Sequence, residues 1–400
     1  MNHSIRISRS EFNIRLHTLL TYLKQQNLNG IVLFDNINIQ YFTGFAFIPT
    51  ERPIAFALSA QGERVMYLPR LELEHVQTET ELERVVHYLE YPGKPSQADK
   101  FREMLVEMGM VQENGRIGAD SNGYPWIFGY QGPTLTELTD MEFVNAQRQI
   151  NQMQAVKSPA ELALIKESCK WAHLAHMLLQ RYTAVGKSET EVSLQASQDA
   201  TLAMMDTIGP LYRAQSMWTS GPHAGYRGQI GRNSSIPHAL ANNITFQPGD
   251  VLVTGAGCPM WGYNSELERT MFVGEPSKEQ QTMFNHMKAA QEVAFWVMKP
   301  GVKCSEVDQA VREYYQKHDL MPYWKHHTGH AIGLRYHEGP FLDTGDDTVL
   351  QEGMVFTVEP GFYTPELGGF RHSDTVLIKS GGIELLTYYP RNWQQLVIPV

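Results

Sequence analysis

Val251-Leu252-Val253-Thr254-Gly255-Ala256-Gly257-Cys258-Pro259-Met260-Trp261-Gly262-Tyr263-Asn264-Ser265-Glu266-Leu267-Glu268-Arg269-Thr270-Met271-Phe272-Val273 reads as two strands joined by a bend of small residues. Val251–Thr254 is a short β-branched run, and Leu267–Val273 is a second run rich in strand formers. Side chains alternate along a strand, so Glu266, Glu268 and Thr270 share one face while Leu267, Arg269 and Met271 share the other. Two carboxylates two positions apart on one face repel each other unless a cation lies between them. A metal ion, a cationic ligand or an internal arginine each meets that need. A solvent-facing edge strand carrying two acids is the plainer alternative.

The rest of the composition narrows the class. A chain of 400 residues suits two domains, and 42% hydrophobic with 19% charged residues is the balance of a soluble globular enzyme. A net charge of −10 with no basic run argues against nucleic acid as a partner. Cys169, Cys258 and Cys304 are widely spaced with no CxxC pair, which favours a reducing compartment and no disulfide framework. Met1-Asn2-His3-Ser4-Ile5-Arg6 lacks an apolar leader core, and no apolar run is long enough to span a bilayer. The expectation is a cytoplasmic enzyme with neither nucleic acid nor membrane as a partner.

Toward the N-terminus, Ser10–Gln26 has helical spacing with Phe12, Leu16, Leu19, Leu20 and Leu23 on one side. Strands are predicted at Gly30–Phe34, Ile54–Leu58 and Arg64–Leu68, and a helix at Phe101–Met108. This alternation predicts an α/β domain over residues 1–150 with a mainly parallel or mixed sheet. It carries no glycine-rich phosphate loop, which argues against a nucleotide role. The polar Asn151–Lys157 and the helix start Ser158-Pro159-Ala160-Glu161 place a linker and long entry helix around 148–165. Beyond it, helices at Lys278–Met298 and Ser305–His318 are joined by the stop Lys299-Pro300-Gly301. Grouped with strand-like runs, they predict an α+β domain over 151–400, a curved antiparallel sheet backed by helices.

The Gly-Tyr, Ser-acid-x-x-Arg-Thr hairpin resembles the metal-binding hairpin of the pita-bread peptidases, the M24 family of methionine aminopeptidase, prolidase, aminopeptidase P and creatinase. Thr328-Gly329-His330-Ala331-Ile332-Gly333 and His337-Glu338-Gly339-Pro340 are similar to that family's histidine segment. Glu352-Gly353-Met354-Val355-Phe356-Thr357-Val358-Glu359-Pro360-Gly361 and Arg371-His372-Ser373-Asp374-Thr375 resemble its glutamate segments. The resemblance implies a creatinase/prolidase-type N-terminal domain and a pita-bread C-terminal domain. It also implies five metal ligands, Asp, Asp, His, Glu and Glu, around two ions. Set onto this chain these fall on Gly255, Glu266, His330, Glu359 and Ser373. Two ions about 3.5–4 Å apart need bridging carboxylates, so the losses at Gly255 and Ser373 argue against a dinuclear site and leave Glu266, His330 and Glu359 as ligands for one ion.

Creatinase, the metal-free member, resembles the chain further at Leu267-Glu268-Arg269-Thr270-Met271-Phe272 and at Ile236-Pro237-His238-Ala239. The comparison implies His238 as general acid/base, with Glu268 and Glu359 gripping a cationic substrate group. His330 and, from the peptidase pattern, His337 are expected to contact substrate. Creatinase's carboxylate-binding arginine falls on Phe341, so Arg371 or Arg335 is expected to substitute. Arg52, in Glu51-Arg52-Pro53, is carried as a ligand reaching a partner subunit's site in a homodimer. The leading expectation is a metal-independent, creatinase-like hydrolase with no cofactor, cleaving a C–N bond in a small cationic or zwitterionic amidine, guanidino or amide substrate. Two alternatives stand beside it: an Xaa-Pro-type aminopeptidase or dipeptidase with a single Mn, Fe, Co or Zn ion, and a non-catalytic peptidase-like binding protein.

Overall fold

The computed structural model describes residues 5–80, 82–90 and 96–400. The chain forms two compact units, Ile7–Gln154 and a larger one made chiefly of Ala155–Val400. In the first, six strands lie in the order Arg84–Tyr88, Arg64–Pro69, Ala55–Ser59, Gly30–Leu33, Arg116–Ala119, Glu142–Asn145. The unbroken apolar run Gly30–Leu33 is buried along its whole length, as a central strand covered on both faces requires. It pairs antiparallel with Ala55–Ser59 and parallel with Arg116–Ala119, so the sheet is mixed. The helix expected at Ser10–Gln26 runs Arg9–Gln25 and buries Leu16, Leu19 and Leu23. No helix among the described residues is long and apolar enough to cross a membrane.

The second unit starts from a capping box. Ser158 accepts from the Glu161 amide and the Ser158 amide donates to Glu161 Oε2 at 2.9 Å, opening the helix Pro159–Tyr182. The other Glu161 oxygen accepts from Tyr263 Oη at 2.8 Å, so the cap also fixes the bend of the hairpin quoted above. Pro159–Tyr182 packs with Glu189–Ile208, and Lys278–Val297 packs with Cys304–Lys317. These helices pack against an eight-stranded sheet in which every pairing is antiparallel, with Ser373–Lys379 near its centre. This is the α+β arrangement expected.

The hairpin departs from two plain strands. Each arm splits: Val251–Val253 and Thr270–Val273 belong to a three-stranded sheet, while Gly255–Gly257 and Leu267–Glu268 belong to the eight-stranded one. The switch falls at Thr254 and Arg269. The Thr254 amide donates to the Arg269 carbonyl at 3.0 Å, but the Arg269 amide returns to Thr254 Oγ1 at 2.9 Å, a side-chain oxygen. That substitution breaks the ladder and lets both arms turn. Arg269, which alternation placed opposite the two glutamates, is fully buried. Its guanidinium donates to Asp374 Oδ1 at 2.8 Å and to the carbonyls of Glu268, Ser373 and Pro390 at 2.7, 3.1 and 2.9 Å. The sheet switch is therefore clamped to the central strand by one charge with every partner supplied.

Arg269→Met removes that charge and leaves the buried Asp374 with only the more distant Arg391 guanidinium, 3.7 Å from its other oxygen. Urea denaturation is expected to show a loss of roughly 3–5 kcal/mol at unchanged m value. A loss below about 1 kcal/mol, the range of an ordinary surface substitution, would show that the clamp does not hold the hairpin.

Candidate active site

Three segments converge on the hairpin. Glu266 stands just before the strand Leu267–Glu268, held by Thr375 Oγ1, which accepts from its amide at 2.9 Å and donates to its carbonyl at 2.8 Å. Glu268 lies in register with Ser373 on the neighbouring strand. His330 sits on the buried strand Gly329–Ala331, next to Val355–Val358, and Glu359 follows that second strand. The glycine before the histidine is a packing necessity: a Cβ at Gly329 would lie 2.1 Å from the Thr357 carbonyl oxygen. Only a bare backbone brings His330 this close to the strand that leads to Glu359.

Three carboxylates meet here. Glu266, Glu268 and Glu359 each offer an oxygen within 4.8 Å of the others, and Glu266, His330 and His337 form a second such group. Burial and repulsion by Glu359 and Glu268 push the Glu266 carboxyl up to about 7. Burial alone would also raise Glu359, but His330 and Arg371 outweigh it and hold that carboxyl well below the usual range. His330 moves the other way: burial lowers it, and the charges of Glu359 and Glu266 raise it to about 9. His337 stacks on His330 with ring centroids 3.9 Å apart, and burial plus that neighbour lowers it to about 4. The pocket thus draws positive charge to the Nε2 side of His330.

His330 is set up as a ligand. Its Nδ1 is 3.0 Å from the Ala331 carbonyl, which makes Nδ1 the protonated nitrogen and turns Nε2 toward the acids. Nε2 lies 3.1 Å from Glu359 Oε1 yet has no aligned hydrogen bond, a buried nitrogen without a proper partner. One imidazole and the carboxylates of Glu266 and Glu359 form a donor set suited to a single Mn, Fe, Co or Zn ion. A second ion does not fit. Gly255 supplies no side chain, and the Ser373 hydroxyl is spent donating to Glu266 Oε1 at 2.7 Å.

Two guanidiniums stand where further metal charge would otherwise be needed. Arg371 donates from Nε to Glu268 Oε2 and from Nη2 to Glu268 Oε1 at 2.9 Å, and its Nε lies 3.8 Å from Glu359 Oε2. Its Nη1 donates to Tyr363 Oη at 3.1 Å. Arg227 adds a bond from Nη2 to Glu268 Oε1 at 2.7 Å. This corrects two expectations. Glu268 is not an open acceptor for a cationic substrate, because both its oxygens already serve arginines. Arg371 is not a substrate-carboxylate ligand, because its donors are spent inside the protein. The internal arginine considered for the glutamate pair is the actual answer at Glu268.

The remaining candidates are placed as follows. His238 lies exposed in a turn after the short 3₁₀ segment Gly231–Ser235, near enough for its charge to lower His337. Arg335 lies in the loop before Glu338–Leu342, its amide donating to Glu338 Oε2 at 3.4 Å. Arg52 belongs to the other unit and is ion-paired with Glu51 at 2.8 Å and Glu90 at 2.5 Å. Sequence reasoning missed Arg227 and Tyr363. Arg227 sits in Tyr226-Arg227-Gly228-Gln229, whose only local signal is an Arg-Gly pair, and its role depends on a fold that brings it to a residue 41 positions away.

Metallopeptidase family M24 matches residues 163–380, more than half of the chain and every segment around His330. The chain is a member of that family. The Creatinase/Prolidase N-terminal domain matches residues 15–156. Among curated sequences, the chain is similar to the Xaa-Pro dipeptidase of Pyrococcus horikoshii, 27% identical over 377 residues that cover 94% of this chain and 97% of that one. It is also similar to the putative dipeptidase YkvY of Bacillus subtilis, 26% identical with coverage of 94% and 98%. Among solved structures, the prolidase of Pyrococcus horikoshii superposes with a TM-score of 0.77 at 26% identity, covering 94% of this chain and 99% of that one. The prolidase of Pyrococcus furiosus gives 0.74 at 26% identity, with coverage of 93% and 99%. The family's relatives therefore favour the metal-bearing alternative over the cofactor-free, creatinase-like expectation, and the donor set around His330 agrees with them.

Arg371→Met leaves Glu268 and Glu359 without their shared buried counter-ion. Arg227 stays on Glu268 and His330 on Glu359, so we expect a stability loss of about 1–3 kcal/mol, short of the cost of a fully unpaired buried charge. Adding Glu268→Gln should return at least half of that loss in a double-mutant cycle. Strict additivity of the two substitutions would show that the residues do not act as a pair.

Proposed function

We propose that the protein is a hydrolase of the Xaa-Pro dipeptidase type, cleaving the C–N bond before a proline with one divalent ion held by Glu266, His330 and Glu359. The observation that carries this is the buried His330 Nε2, aimed at two carboxylates without an aligned hydrogen bond. The names of the relatives support the substrate class. When bound, such an ion polarises the scissile carbonyl and lowers the pKa of a bound water.

The chain's own residues supply the rest. Glu359, held ionised by His330 and Arg371, accepts a proton from the attacking water. His337 is neutral near pH 7, so one ring nitrogen donates to the substrate carbonyl as negative charge develops on it. A proline nitrogen leaves as a secondary amine and must be protonated to do so. His238, exposed beside His337, delivers that proton. Ser373 keeps the Glu266 carboxylate oriented through its hydroxyl.

The test is hydrolysis of Ala-Pro by protein whose metal content is measured in the same sample. About one equivalent of metal, in line with a His and two carboxylates as the only ligands, and turnover abolished by EDTA and restored by Mn, Fe, Co or Zn, are expected. His330→Ala should lose the ion, and His238→Ala should keep it while kcat falls by about 10²–10⁴-fold. Chelator-resistant turnover of creatine or another small guanidino compound, without turnover of Ala-Pro, would contradict the proposal.

A further inference from the structure

We infer that Arg227 recognises a carboxylate of the substrate, which makes it the residue that selects anionic ligands for this site. The inference rests on the hydrolase reading above for where the substrate lies. Arg227 follows the edge strand His223–Gly225 and has a left-handed backbone, φ 52°, with Gly228 at 75° behind it. Two successive residues of that hand turn the Gly228 amide toward Glu189, whose buried carboxylate accepts it at 2.7 Å and the Asn242 amide at 2.7 Å. The backbone is thus anchored from behind, and the side chain reaches Glu268 in front.

At Glu268 the arginine is surplus. Arg371 already meets both oxygens of that carboxylate, so two guanidiniums share one acid. Only Nη2 of Arg227 is engaged, by Glu268 at 2.7 Å and Gln229 Oε1 at 3.2 Å. Nε and Nη1 have no hydrogen-bond partner among the described residues, and 49% of the side chain is exposed. Arg371, by contrast, is buried and spends all three of its nitrogens.

Gly255, which carries no side chain, faces the guanidinium, and a Cβ added there would meet Arg227 Cζ and Nε at 3.8 Å and Glu268 Oε1 at 3.5 Å, all ordinary contacts. A fixed, half-exposed cation with unspent planar donors suits a carboxylate and repels an ammonium group. Two carboxylates of an Xaa-Pro substrate fit that chemistry: the C-terminal one and that of an acidic first side chain.

The experiment measures binding of small ligands that contain no scissile bond, by calorimetry on the protein as purified. L-Proline is compared with L-prolinamide, and L-aspartate with L-asparagine, on wild type, Arg227→Gln, Arg227→Lys and Gly255→Asp. Wild type is expected to prefer the carboxylate by about tenfold in at least one pair, with Arg227→Gln erasing the preference and Arg227→Lys keeping part of it. Preference within the proline pair assigns the C-terminal carboxylate; preference within the aspartate pair assigns an acidic side chain. Gly255→Asp places a carboxylate against Arg227 from within and should weaken the preferred ligand similarly, which keeps the inference testable if Arg227→Gln misfolds. Equal binding of acid and amide by wild type, or an undiminished preference in Arg227→Gln, overturns it. Ala-Pro turnover measured on the same samples separates the two readings. Turnover with no Arg227-dependent discrimination removes the inference alone, whereas Arg227-dependent discrimination without turnover supports the inference and removes the dipeptidase proposal.

Discussion

Three carboxylates crowded into a buried pocket need positive charge, and the way this chain supplies it governs the rest of the site. Glu266, Glu268 and Glu359 come within a few ångströms of one another, two from one arm of the hairpin and one from the end of a neighbouring strand. At an effective dielectric near 20, two unit charges about 4 Å apart interact by roughly 4 kcal/mol, so three such acids cannot all stand ionised alone. Arg371 and Arg227 answer Glu268 permanently. Glu266 and Glu359 face His330, which answers with a proton or yields its Nε2 lone pair to a metal ion. One half of the pocket is settled by the protein itself, and the other half is left for an ion and a substrate.

The division follows from two small residues. Gly255 and Ser373 remove the ligands that a second ion would need, and both vacancies are used. Ser373 turns its hydroxyl to Glu266, and the space over Gly255 is bounded by the Arg227 guanidinium. Such a site is electrostatically closer to a mononuclear centre with a fixed cationic neighbour than to a damaged dinuclear one. The scaffold behind it is rigid for the same reason: Arg269 and Asp374, fully buried, pin the hairpin at the point where it changes sheets.

Much of this was legible in the sequence. The capping box at Ser158, the apolar strand Gly30–Leu33 and the helix pair around Pro300 are local signals, and local signals survive folding. The hairpin and the His330 and Glu359 segments were legible as motifs, and the structure brings their side chains together. The alternation of Glu268 and Arg269 was right in direction but silent on consequence. Whether a glutamate pair meets a metal, a ligand or an arginine depends on which strand lies alongside, and Arg371 is 103 positions from Glu268. Arg227 was invisible for a related reason: a loop arginine announces nothing until a left-handed turn and Glu189 fix its direction. The split at Thr254 was equally hidden, since a threonine in a strand gives no sign that its hydroxyl will replace a carbonyl.

The central claim is that this pocket holds one ion and that arginine takes the remaining charge. Anomalous diffraction at the absorption edge of the bound metal, from crystals grown without chelator, tests it most directly. A single peak among Glu266, His330 and Glu359, with Arg371 still on Glu268, is the predicted result. Two peaks about 3.5–4 Å apart, the spacing of a two-metal centre, or a peak with Arg371 displaced from Glu268, would contradict it.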